Sequence, residues 1–253
     1  EKVVDRGWNW AVNARQCGSA IKPVSTYAPA LDNGTINGAS VIDDYPMLLN
    51  GEVWPRNANW RYQGLTALHT AIAQSLNTCA VRTNLAYGVS NSYDFLVDKL
   101  GFENLTYTDS QQVGNMALGG FEKGVTTEEM SAAYAAFVNE GVYTKPRTFI
   151  RVEDANGNVV LENEAQSTVA MKNTTAALMN SLLQEASLQG TGYQAQFSGM
   201  HIAGKTGSTN SNKDRYFVGY TPYYSCAVWA EVSFEHRSTA PDCRALTRAV
   251  ESS

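Results

Sequence analysis

The chain has 253 residues, 43% apolar and 17% charged, with a formal net charge of -5, which fits one globular domain whose core needs no metal or disulfide staple. Lysines and arginines are scattered singly, so there is no cationic face of the kind from which nucleic-acid binding draws its affinity. The longest strongly apolar run, residues 130–138, falls far short of the roughly 20 residues that span a bilayer. No basic-then-apolar leader opens the chain, so membrane attachment is expected only through parts outside it.

Residues 21–31 are apolar, with Pro23 in a first turn where a missing N–H leaves no bond unmade, and read as a helix stopped by Asp32-Asn33-Gly34. Residues 38–61, rich in Asp, Asn, Pro and Trp, read as a long irregular excursion over the surface. Residues 65–74 and 80–87 read as helices joined by Ser75-Leu76-Asn77, the second ended by Gly88. Ser92 is placed as the cap of a helix over 93–100, closed by Gly101. Thr126 and Glu129 have capping-box spacing ahead of the apolar run 130–138, with Gly141 as its stop. Residues 149–162 alternate about Asn156-Gly157, a strong hairpin signal. A helix over 174–186 precedes a glycine-rich turn, and 201–204, 216–220 and 225–234 read as three neighbouring antiparallel strands. Helices in the middle and strands towards the end predict an α+β fold: an antiparallel β-sheet packed against helices, with a helical subdomain and a groove where they meet.

The four cysteines, Cys17, Cys79, Cys226 and Cys243, include no C-x-x-C pair, and only His69, His201 and His236 accompany them. A zinc site is not expected, and free cysteines are the plainer reading, although four permit three pairings. Ser19 and Lys22 form the only S-x-x-K, at a helix start. Their spacing puts hydroxyl and amine on one face, where an amine kept neutral can take the hydroxyl's proton. The helix N-terminus disfavours ammonium and stabilises an oxyanion. The same two residues also suit an ordinary solvated first turn. Ser75 and Asn77 fit a groove or a helix cap, and Ser208-Thr209-Asn210 has the same S-x-N form. Lys205-Thr206-Gly207-Ser208 follows a strand-like run. It offers charge and hydroxyls for a carboxylate and glycines for close backbone approach, or it is a β-turn with a solvated lysine.

S-x-x-K, S-x-N and K-T-G in this order form the motif set of penicillin-binding proteins and class A β-lactamases. The flanking segments 15–23, 73–82, 117–120 with 124–127, and 203–210 with 216–222 resemble the transpeptidase domain of class A, bifunctional penicillin-binding proteins over about residues 6–234. The resemblance implies the penicillin-binding protein/β-lactamase fold and no cofactor. It further implies a serine acyltransferase in which Ser19 attacks the carbonyl between the terminal D-alanines of a peptidoglycan stem peptide. Lys22 is then the base, Ser75 relays a proton to the leaving D-alanine, and Asn77 orients Lys22 and holds the substrate amide. Lys205 keeps the site positive and Lys22 neutral, Thr206 and Ser208 bind the terminal carboxylate with Gly207 between them, and the N–H groups of Ser19 and Ser208 form the oxyanion hole. An acceptor amine completes the cross-link, and β-lactams acylate the same serine.

The place implied is the extracytoplasmic face of the bacterial membrane. Cys17, Ser208 and Tyr216 stand where the family usually has proline, threonine and tryptophan. The resemblance also implies that the family's first sheet strands precede this chain, so that the domain over 1–253 is short of them, and that the closing helix after 234 is in doubt. Cys17 and Cys79 flank the motifs and are the pair considered for a disulfide. Two rival readings stand beside this one. A β-lactamase needs a base for deacylation, which Glu162 and Glu164 do not resemble, and a β-lactam sensor or scaffold is acylated without cross-linking.

Overall fold

A helix that is apolar on every side has to lie inside the protein, and in the computed structural model, which describes residues 8–49, 51–209 and 213–231, every residue from 20 to 30 is buried. This helix starts earlier than its sequence pattern indicates, as a 3-10 turn over Gly18–Ile21 in which Lys22 N–H closes on Ser19 O. Pro23 has no N–H to continue that ladder. The next turn, Pro23–Tyr27, is accordingly wider, with Ala28 N–H reaching back to Pro23 O, and Ala28–Asp32 is regular. Such widened turns recur at functional sites. The buried hydroxyls of Ser25 and Thr26 are paired: Ser25 Oγ donates to Met116 O at 2.7 Å, and Asn84 Nδ2 donates to Thr26 Oγ1 at 3.0 Å.

One side of this helix faces a sheet. Asp214–Tyr220 is its middle strand, flanked by Ser225–Glu231 and Ala203–Ser208, all antiparallel. Alternation puts Tyr216, Val218 and Tyr220 on the buried face, against the long helix Asn173–Gln189 and the helix Thr127–Val138. Tyr134 on the latter donates its hydroxyl to Ala20 O at 2.6 Å, tying the sheet-side layer to the central helix. On the other side lies a cluster of helices, Asn77–Tyr87, Val89–Asp94, Tyr107–Gln111 and Val113–Leu118, while Leu68–Ala73 packs on Asn173–Gln189. The expected α+β architecture with a helical subdomain is therefore the observed one.

Several local expectations are corrected. Residues 65–67 are strand, not helix: Gly64–Ala67 pairs with Val41–Asp44, and the helix begins at Leu68. The excursion over 38–61 is thus partly a ribbon, and it carries the fully buried Asp44 and nearly buried Asn57 into the interior. Ser92 is buried within the helix Val89–Asp94 and accepts from Asn84 Nδ2 at 2.8 Å instead of capping. Residues 201 and 202 precede the strand they were assigned to. The hairpin about Asn156-Gly157 is present, Arg151–Glu153 pairing with exposed Val159–Glu162. The tail of the last predicted strand, His236, Cys243 and the proposed closing helix lie outside the described residues.

Thr126 caps the helix Thr127–Val138 with both bonds of a capping box to Glu129. Thr126→Ala removes one of them and is expected to lower stability by about 1 kcal/mol, read as a shift in urea midpoint at unchanged slope.

Candidate active site

Ser19, half-buried, sits on the 3-10 turn that opens the central helix. Two close backbone approaches hold this turn against the strand Ala203–Ser208. Gly18 has φ +53°, and a Cβ there would lie 2.4 Å from Ser208 O and 2.9 Å from Ser208 N. A Cβ on Gly207 would lie 2.0 Å from Cys17 O. Only glycine permits backbones this near. The segments carrying Ser19 and Ser208 therefore adjoin, as a shared oxyanion hole requires.

Lys22 is fully buried, and its Nζ lies 2.8 Å from Ser75 O, 2.7 Å from Asn77 Oδ1 and 3.3 Å from Ser75 Oγ. Burial holds its pKa well below the ordinary lysine value, and the nearby Lys205 charge lowers it further. A neutral amine has two N–H donors and one lone pair. The two short contacts can accept both of these donors, and Ser75 Oγ is the third neighbour of the nitrogen. Ser75 itself has φ +59°, a strained conformation for a residue with a side chain that costs of order 1 kcal/mol and that clusters at functional sites.

Lys205 is 1% exposed, and its charge is near enough to act on Lys22. Burial pushes its pKa down to about 7. Its Nζ donates to Thr206 O at 3.1 Å and stands 3.5 Å from Thr191 Oγ1. Along the strand the burial alternates, so Thr206 and Ser208 lie on the face opposite Lys205. This strand is the edge of the sheet among the described residues, which leaves the N–H and C=O groups along its outer side for a ligand laid along it.

Lys22, Ser75 and Asn77 are thus joined by direct hydrogen bonds, and the Ser19 turn and Lys205 are brought against them by packing. Sequence reasoning missed Thr191, whose hydroxyl is 2.6 Å from Thr206 Oγ1 and whose N–H bonds Ala73 O at 3.3 Å. It links the segment before Ser75 to the lysine strand. The signal available was Gly190-Thr191-Gly192 after a helix: a Cβ on Gly190 would lie 2.3 Å from Ala73 O. Asp44 and Asn57 were missed as well, in a stretch whose composition reads only as loop. Cys17, Cys79 and Cys226 are free, so the Cys17–Cys79 disulfide is not formed. Burial raises these thiols, Cys79 to about 11, where they are poor nucleophiles.

Residues 8–235 match the family model of the penicillin binding protein transpeptidase domain. The chain is 35% identical over 225 residues to penicillin-binding protein 1A of Clostridium acetobutylicum, covering 85% of this chain and 27% of that protein. It is 36% identical over 264 residues to penicillin-binding protein 1A of Clostridium novyi, covering 96% and 30%. The chain therefore spans less than a third of the length of these relatives. Among solved structures, penicillin-binding protein A from M. tuberculosis, in its imipenem acyl-enzyme complex, superposes with a TM-score of 0.79 at 17% identity, covering 97% of this chain and 62% of that one. At that identity the superposition shows a shared fold.

Proposed function

This chain belongs to the penicillin-binding protein transpeptidase domain family, and from that premise we propose that it is a peptidoglycan D,D-transpeptidase acting on the outer side of the bacterial membrane and acylated by β-lactams. The observation that carries the reading is the Lys22 amine, buried and spending both N–H donors on Ser75 O and Asn77 Oδ1. Such an amine, its pKa held well below the ordinary lysine value, is suited to act as a base one helical turn from the Ser19 hydroxyl.

Ser19 Oγ attacks the carbonyl carbon between the terminal D-alanines as its proton passes to Lys22. The oxyanion is met by the N–H groups of Ser19 and Ser208, at the helix start where partial positive charge collects. Ser75 hands a proton to the departing nitrogen, taking one from Lys22 in return, and the C–N bond breaks. Thr206 and Ser208 hold the terminal carboxylate, Lys205 keeps the site positive, and Gly207 lets the substrate backbone lie close to the strand. An acceptor amine then attacks the ester, loses its proton to the same base, and restores Ser19. No step calls for a cofactor. The acyl-enzyme state of the M. tuberculosis neighbour supports acylation by a β-lactam here, because the β-lactam amide mimics the D-alanyl-D-alanine bond.

Intact-mass spectrometry of the chain with a penicillin tests this. A stable one-to-one adduct is expected, absent in Ser19→Ala, followed by transfer of a D-alanyl-D-alanine substrate's acyl group to an added amine. An adduct that forms and quickly clears would make the protein a β-lactamase, and a stable adduct without amine transfer a sensor. The exposed positions of Glu162 and Glu164 argue against the former. No adduct on the folded chain would overturn the reading.

A further inference from the structure

We infer that Asn57, held by Asp44, is a positioning residue of the acylation site: it caps the helix that begins at Asn77 and thereby helps to fix how the Asn77 carboxamide faces Lys22. This inference rests on the functional reading above. The helix Asn77–Tyr87 starts after Leu76, which provides no side-chain cap and is buried in the core. The first N–H groups of a helix have no partner within it. Asn57 Oδ1, from 20 residues upstream, accepts Asn77 N–H at 2.8 Å and Thr78 N–H at 3.4 Å.

The orientation of Asn57 is itself determined. Its Nδ2 donates to Asp44 Oδ1 at 2.7 Å and to Arg61 O at 2.9 Å, so its oxygen has to face the helix. Asp44 accepts further from Gln63 N–H at 2.9 Å and from the Thr78 hydroxyl. Asp44 is fully buried and Asn57 is 2% exposed. A cap that itself needs a buried carboxylate to hold it is costly where a local Ser or Asp would serve, but a polar residue in place of Leu76 would have to leave the core.

The neighbouring backbone completes the arrangement. Asn77 Nδ2 donates to Arg56 O at 2.7 Å, which leaves Asn77 Oδ1 as the end that meets Lys22. Consecutive residues, Arg56 and Asn57, thus hold the side chain and the backbone of Asn77. If the segment shifts, Lys22 loses one acceptor and its lone pair loses its aim. A displacement of about 1 Å at such a distance from the chemistry can cost on the order of 100-fold in rate.

The test is the second-order acylation constant with a penicillin, its separation into noncovalent affinity and acylation rate, and the melting temperature. The variants are Asn57→Ala, Asn57→Asp and the double variant Asp44→Asn with Asn57→Asp. Asn57→Ala is expected to lose tenfold or more, in the acylation step and not in affinity. Asn57→Asp sets one carboxylate against another and is expected to lose at least as much. The double variant restores one amide and one carboxylate to the pair and is expected to recover most of that loss.

A folded Asn57→Ala that is acylated like wild type would overturn the positioning role, as would a double variant no faster than Asn57→Asp. The second comparison decides the matter if Asn57→Ala does not fold. An unacylated wild type would instead sink the functional reading from which this one proceeds.

Discussion

Replacing Lys22 with methionine is expected to slow acylation by a penicillin about 10⁴-fold, the upper end of what a positioned general base contributes. Methionine occupies a similar volume, and it relieves the burial that already disfavours a charge at this position. The fold should therefore persist, at some cost from leaving Ser75 O and Asn77 Oδ1 without their donor. Time-resolved mass spectrometry gives the rate, and a thermal melt checks the fold.

The pH profile of the wild type bears on the same residue. Lys22 acts as a base only when neutral, so acylation rises with pH as Lys22 loses its proton. Burial, and then the Lys205 charge, depress its pKa, so the rise falls well below the ordinary lysine value. Lys205 keeps the site positive only while it is charged, and burial pushes its pKa down to about 7. The second-order constant is therefore expected to be bell-shaped, with its alkaline side beginning near 7 and both limbs belonging to the coupled pair. An acid limb near pH 10.5 would remove Lys22 as the base.

Gly207→Ala is expected to be the most damaging single methyl addition in the site. The added carbon would lie 2.0 Å from Cys17 O and 2.9 Å from Ala20 N, and both obstacles are backbone, which cannot rotate away. The strand must part from the Ser19 turn by more than about 1 Å. Overpacking of this kind costs about 3 kcal/mol, and the misplacement slows acylation by about 100-fold. Gly120→Ala is the control: its Cβ would meet Asn115 Oδ1 at 3.7 Å and Gly114 O at 4.0 Å, both ordinary van der Waals contacts, and its effect should stay within about 0.5 kcal/mol. Equal behaviour of the two variants would show that the close approach is not needed.

Features set by local chemistry were legible in the sequence. The capping box at Thr126 and Glu129, the Asn156-Gly157 hairpin, the long helix before Gly190 and the three late strands all depend on residues a few positions apart. The reading failed where a distant partner decides. Leu65 and Thr66 lie next to a helix and suit one, yet they pair with Asp43 and Ile42. Ser92 looks like a cap, but Asn84 takes its hydroxyl into the core.

The candidate site divides in the same way. Ser19, Lys22, Ser75, Asn77 and the run Lys205 to Ser208 were marked by three short motifs whose order resembles a family's set, since each motif alone suits an ordinary turn or cap as well. Tertiary structure alone decided that Lys22 loses its solvent, that Thr191 bridges Lys205 and Thr206, and that Asp44 and Asn57 hold Asn77. A lysine's pKa is set by what surrounds it, and a cap supplied from 20 residues away leaves no periodic trace in the chain. Residue type and order specify which groups are available for chemistry; burial and long-range hydrogen bonds set which way they face and push the pKa values of Lys22 and Lys205 down.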